Sequence, residues 1–151
     1  MYYIGVDIGQ ARDFSAIVTL RDYQRPRKKV ALPGTLQYDL EPLEVENVYQ
    51  AVHMERIPLG QPYRTTVERV KKITEHVKVA RNHLILVDMT GIGRAVIELM
   101  REETLVPIGV QITAGHHVSQ NEGGYTVPKV ELVTHLQILF ENQRIELPEG
   151  H

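Results

Sequence analysis

The chain has 151 residues, 42% apolar and 24% charged, the make-up of one ordinary soluble domain. With 17 basic against 19 acidic side chains its formal charge is −2, which excludes a global attraction to nucleic acid and leaves room only for a local basic patch. The absence of cysteine excludes disulfides and thiolate metal sites. With no basic leader and no long apolar run, the expectation is a cytoplasmic protein without a membrane segment.

The N-terminal run Tyr2 to Val6 is rich in aromatic and β-branched residues and reads as a buried strand. After the turn Gly9-Gln10-Ala11-Arg12-Asp13, Ser15 to Leu20 reads as its hairpin partner. Arg21 to Glu46 is polar, with Pro26, Pro33, Gly34 and Pro42, and is expected to be a long loop or protruding hairpin. Strand character returns over Asn47 to Ile57. The period then becomes helical, with Val67, Val70, Ile73, Val77 and Ala80 at spacings of three and four.

Leu84 to Val87 predicts the next strand, and Ala95, Val96, Leu99 and Met100 form the apolar side of a second helix after Gly93. Pro107 introduces a strand over Ile108 to Ile112. A loop from Gly115 to Gly124 leads to a third helix that starts near Pro128 and runs through Leu132, Val133, Leu136, Leu139 and Phe140. The short run Arg144-Ile145-Glu146-Leu147 ends the chain.

The predicted order is thus β-β-β-α-β-α-β-α. Right-handed crossovers put the fourth strand beside the first and the fifth outside it. A mixed five-stranded α/β sheet follows, in the order 3-2-1-4-5 and flanked by helices. That is the ribonuclease H-like fold, here expected as a single domain over 1–151.

This order makes two aspartates neighbours. Asp7 and Asp88 each stand at the carboxyl end of an apolar run and before a glycine-bearing turn. On adjacent parallel strands, about 4.8 Å apart, their carboxylates enter one cleft. Two such charges are costly to ionise together unless a cation joins them, and Mg²⁺ or Mn²⁺ is the oxygen-seeking candidate.

The pieces Tyr3-Ile4-Gly5-Val6-Asp7 with Asp13-Phe14-Ser15-Ala16, Leu86-Val87-Asp88-Met89-Thr90-Gly91-Ile92-Gly93, and Tyr125 to Val133 continuing to Gln143-Arg144-Ile145 span nearly the whole chain. In order and spacing they resemble the C-terminal nuclease domain of the large terminase subunit of tailed bacteriophages. The resemblance implies metal-dependent endonuclease action on double-stranded DNA during phage genome packaging. Asp7 and Asp88 match the first two of three acidic residues that hold two divalent metals. It further implies a terminase ATPase domain, small terminase subunit or portal protein as partners, and the host cytoplasm as location.

The third acid of that family belongs to a C-terminal helix, and this chain stops at Leu147-Pro148-Glu149-Gly150-His151 without one. No GxxxxGK[ST] phosphate loop occurs either. The expectation is therefore a fragment, an excised piece, or a standalone or decayed relative, with an incomplete two-metal site and impaired cleavage.

Each candidate has a plainer reading. Asp7 and Asp88 also suit turn capping, and Asp13 suits turn stabilisation. Arg94 and Lys129, in or beside the matched pieces, are candidate phosphate contacts or ordinary solvated charges. The run Arg25-Pro26-Arg27-Lys28-Lys29 is the basic patch, with Arg27, Lys28 and Lys29 as candidate DNA contacts or a charged loop. His116 and His117 are candidate metal ligands or a general base, although adjacent side chains diverge and do not easily face one ion. Competing readings are a resolvase-like nuclease and a catalytically inactive docking or interaction module. An actin-like ATPase needs a second phosphate hairpin and a longer chain.

Overall fold

The computed structural model describes residues 1–10, 12–27, 44–76, 79 and 82–148. Its strands are β1 Tyr2–Asp7, β2 Ser15–Pro26, β3 Val45–Ile57, β4 His83–Asp88, β5 Pro107–Thr113, β6 Ser119–Asn121, β7 Gly124–Pro128 and β8 Ile145–Glu146. The helices are α1 Tyr63–Glu75, α2 Gly93–Glu102 and α3 Lys129–Glu141. All eight strands join one sheet in the order β6-β7-β5-β4-β1-β2-β3-β8. The expected five-strand order stands at its centre. β1 is antiparallel to β2 and parallel to β4, and β4 is parallel to β5.

One face of this central sheet carries the core. Ile4, Val6, Ile17, Ile85 and Val87 pack against Val67 and Val70 of α1 and Val96, Ile97 and Met100 of α2. Strand alternation explains the choice: in β1 and β4 every second residue is buried, and the residues between are not. Lys71 of α1 meets Glu103 beyond α2 at 2.7 Å, an exposed pair that ties the two helices together at small energetic gain. Among the described residues no helix is long and apolar enough to cross a membrane.

Four expectations are corrected or refined. Among the described residues the sheet has eight strands, the five expected and three more at its edges. The expected loop from Gly115 to Gly124 contains β6, and β7 follows it as a parallel neighbour of β5 that ends on Pro128. Pro128 therefore precedes the third helix, which begins at Lys129. Of the two readings of Arg21 to Glu46, the protruding hairpin holds where the chain is described: Arg21 to Pro26 is the outer half of β2, paired with β3 from Val45 onward; residues 28–43 lie outside those described. Finally, Ile145 and Glu146 pair in parallel with Tyr49 and Gln50 and extend the sheet at the β3 edge. The first helix ends at Glu75, and Val77 and Ala80 lie outside the described residues.

α3 behaves unlike α1 and α2. Its sequence is apolar around most of its circumference, yet none of its residues is buried: Val133 is 55% exposed, Leu136 49% and Phe140 48%. A helix of that composition ordinarily lies inside a core. Ile85→Ala should accordingly cost about 2–5 kcal/mol in urea unfolding, through lost burial and a residual cavity. Leu136→Ala should cost below about 1 kcal/mol. A Leu136→Ala cost as large as that of Ile85→Ala shows α3 to be covered in solution.

Candidate functional site

The parallel register of β1 and β4 runs from Tyr2 opposite His83 to Val6 opposite Val87, so Asp7 and Asp88 come next on neighbouring strands. Val6 and Val87 are buried under α1 and α2. Alternation puts both aspartates on the opposite face, at the carboxyl ends of their strands. The register thus brings the two predicted site residues together.

The turns after the strands complete the corner. Gly9 N–H donates to Ser15 Oγ at 3.1 Å and Asp13 N–H to the Gln10 carbonyl at 2.8 Å, which folds Asp13 back beside the end of β1. After β4, Thr90 N–H donates to Asp88 Oδ1 at 2.8 Å and fixes that carboxylate. Gly91 has φ +67°, and a side chain there would press on Gln10 Nε2. A Cβ at Gly93 would collide with the Asp88 carbonyl oxygen, so only glycine lets α2 start this close to the strand end.

The electrostatics record the crowding. The Asp7 carboxyl is pushed above the ordinary aspartate range by its burial first, then by the charges of Asp88 and Asp13. Asp13, which the sequence offered as a turn stabiliser or a residue near the site, is therefore a third acid in the field of Asp7. The donor set suits a hard divalent cation in part: carboxylate oxygens are the preferred ligands, and the mutual repulsion is what a dication relieves. Among the described residues no group of three His, Asp or Glu side chains converges at metal-binding distance. Asp7 and Asp88 are the two residues that would hold such an ion. His116 and His117 are exposed between β5 and β6 and join no such group.

Cations flank the corner unevenly. Arg94, in the first turn of α2, lines a cleft of about 490 Å³ with Met89 and Gln111, to which neither Asp7 nor Asp88 contributes. Arg56 was not among the sequence candidates. It pairs in register with Ala16, which pairs with Asp7, so Asp7, Ala16 and Arg56 form one row on one face of the sheet. Its guanidinium stacks on the Phe14 ring at 5.0 Å. Only the strand register reveals it. Lys129 is exposed at the start of α3. Arg27 is paired with Glu44 at 3.2 Å, and Lys28 and Lys29 lie outside the described residues.

No family model matches the chain, and no curated protein matches it in sequence. The solved structure of the large terminase from a thermophilic bacteriophage resembles it, at a TM-score of 0.59 and 11% identity over 98% of this chain. At that identity the likeness is one of fold. The chain has a ribonuclease H-like fold. It spans 28% of the length of that terminase chain.

Two outcomes test the corner. A raised pKa in the folded state means that the native protein holds its proton more tightly than the unfolded chain. Asp7 therefore favours folding at low pH, and that contribution is lost as pH rises through its raised folded value. Asp7→Asn should stabilise the protein at pH 7 by about 0.5 kcal/mol, a small figure because water still reaches and screens this only partly desolvated carboxyl. The gain in thermal melting should shrink toward pH 4. Gly93→Ala should lower stability by about 2 kcal/mol or more, since backbone must move to admit the methyl group.

Proposed function

We propose that the chain is a terminase-type endonuclease domain that hydrolyses double-stranded DNA with Mg²⁺ or Mn²⁺. The observation that carries this reading is the matched register of Asp7 and Asp88 at adjacent strand ends, with the Asp7 carboxyl pushed up by burial, Asp88 and Asp13. The fold likeness to a phage large terminase supports the same reading.

In this proposal Asp7 and Asp88 together hold the cation. Asp88 Oδ1 is oriented by the Thr90 N–H, which leaves Oδ2 for ligation. Bound Mg²⁺ or Mn²⁺ supplies Lewis acidity toward the phosphodiester and the attacking water. Arg56, on the row of Asp7, and Arg94, in the first turn of α2 after β4, are proposed to meet phosphates of the DNA backbone. Lys129 and the basic run of Arg27, Lys28 and Lys29 are proposed as outer backbone contacts. The ATPase domain, small subunit and portal of a packaging motor are the proposed partners, in a host cytoplasm.

A second reading is an inactive docking module that keeps the fold. It is favoured by the lack, among the described residues, of three ligands at metal-binding distance. Calorimetry and thermal melting with Mn²⁺ separate the two. A cation at ten times its dissociation constant adds about 1.4 kcal/mol of stability. Asp7→Asn should erase that shift more fully than Asp88→Asn. Plasmid nicking by the chain should be weak in Mn²⁺, and abolished by Asp7→Asn. Arg56→Ala should cut nicking at least several-fold with melting unchanged. No Mn²⁺ shift and no nicking, with DNA binding retained, would establish the docking module instead.

A further inference from the structure

A second cavity, of about 510 Å³, lies between α1 and the strands β1, β2 and β3. It is separate from the carboxylate corner. Thr19 pairs with Ile4, inside the run that buries its side chains under α1, whereas Asp7 belongs to the other face and the other end of β1. The volume suits a small organic molecule.

Its floor holds an unpaired polar group. Thr19 is 1% exposed, lines the cavity, and its Oγ1 has no hydrogen-bond partner among the described residues. Buried hydroxyls are almost always satisfied, and one left unpaired destabilises the fold. A ligand atom reaching the floor would satisfy it. Tyr2 and Ile73 add apolar lining.

The rim is cationic, in a chain whose net charge is −2. Arg21, Arg69 and Lys72 line it against the single carboxylate of Glu55. Glu55 is already engaged by Arg69 at 3.3 Å and by His53 at 3.3 Å. Arg21 donates to Gln50 Oε1 at 2.8 Å. The Lys72 ammonium has no ion-pair partner among the described residues. Arg69 and Lys72 stand three residues apart on α1, so both reach the same mouth.

We propose that this cavity binds a small organic anion with an apolar body: Lys72 and Arg69 meet its charge at the rim, and Thr19 hydrogen-bonds a polar atom at its inner end. The proposal does not depend on nuclease activity.

Three fluorescent probes test it on the full chain: 6-hydroxy-2-naphthoate, 2-naphthoate without the inner hydroxyl, and 2-naphthol without the carboxylate. The first should bind saturably at one site, roughly tenfold more tightly than either analogue. Lys72→Met should remove the advantage of 6-hydroxy-2-naphthoate over 2-naphthol. Thr19→Val, nearly isosteric, should remove its advantage over 2-naphthoate and raise the melting temperature of the free protein. The proposal is overturned by the absence of saturable binding, or by affinities that neither substitution changes. It is equally overturned if Thr19→Val lowers the melting temperature and leaves the probe order intact, because the hydroxyl then serves the fold alone.

Discussion

The parallel register between β1 and β4 is the constraint on which the rest depends. A strand has a side-chain period of two, so a slip of one residue would turn Asp7 into the core and Val6 out of it. The slip is prevented by burial on one side: Ile4, Val6, Ile85 and Val87 are each 4% exposed or less beneath α1 and α2. The carboxylates on the other face are thus positioned by apolar residues that never touch them. Ionised together they repel, and the energy that holds them side by side comes from the opposite surface of the sheet.

How much of this was legible follows from where the burial lies. The central five strands and their order could be read because β1, the inner half of β2 and β4 bury every second residue, β3 and β5 carry strand-like runs bounded by turn residues, and crossover handedness then leaves one arrangement. The outer strands lack that signature. β6 is three exposed residues, and β7 ends on a proline that by itself marks a helix start. β8 is two residues joined to Tyr49 and Gln50 by backbone pairing. The outer half of β2 stayed open between loop and protruding hairpin for a related reason. Arg25 is held by Glu46 at 2.8 Å and Tyr23 by Glu146, so polar side chains from across the sheet, not a core, secure it. α3 shows the converse failure, since its apolar spacing announces a packed helix and the structure leaves it exposed.

The site divides along the same line. Asp7 and Asp88 were legible because their chemistry is local: an acid at the end of an apolar run, then glycine. The role of Gly93 could be read as close approach, and its clash with the Asp88 carbonyl gives the reason. Arg56 was not legible, because its place beside Asp7 is set by two successive strand pairings across a gap of sequence that contains the residues 28–43. The same holds for Thr19, an ordinary strand threonine until its neighbours are known to leave its hydroxyl unpaired.

The two faces of the sheet differ in what they can attract. The corner bearing Asp7, Asp88 and Asp13 is acidic and repels a phosphate backbone over the screening distance of about 8–10 Å. Arg56 and Arg94 offset that repulsion in part, but each is a single charge at the margin. A dication between Asp7 and Asp88 changes the sign of the corner, so in the proposed function the cation is needed for DNA to approach as well as for its cleavage. The cavity at Thr19 needs no such ion, because Arg69 and Lys72 already make its mouth positive. A polyanion too wide for that mouth gains nothing from the floor, whereas a small anion with an apolar body reaches both the charge and the unpaired hydroxyl. Shape, rather than net charge, therefore separates the ligands of the two faces.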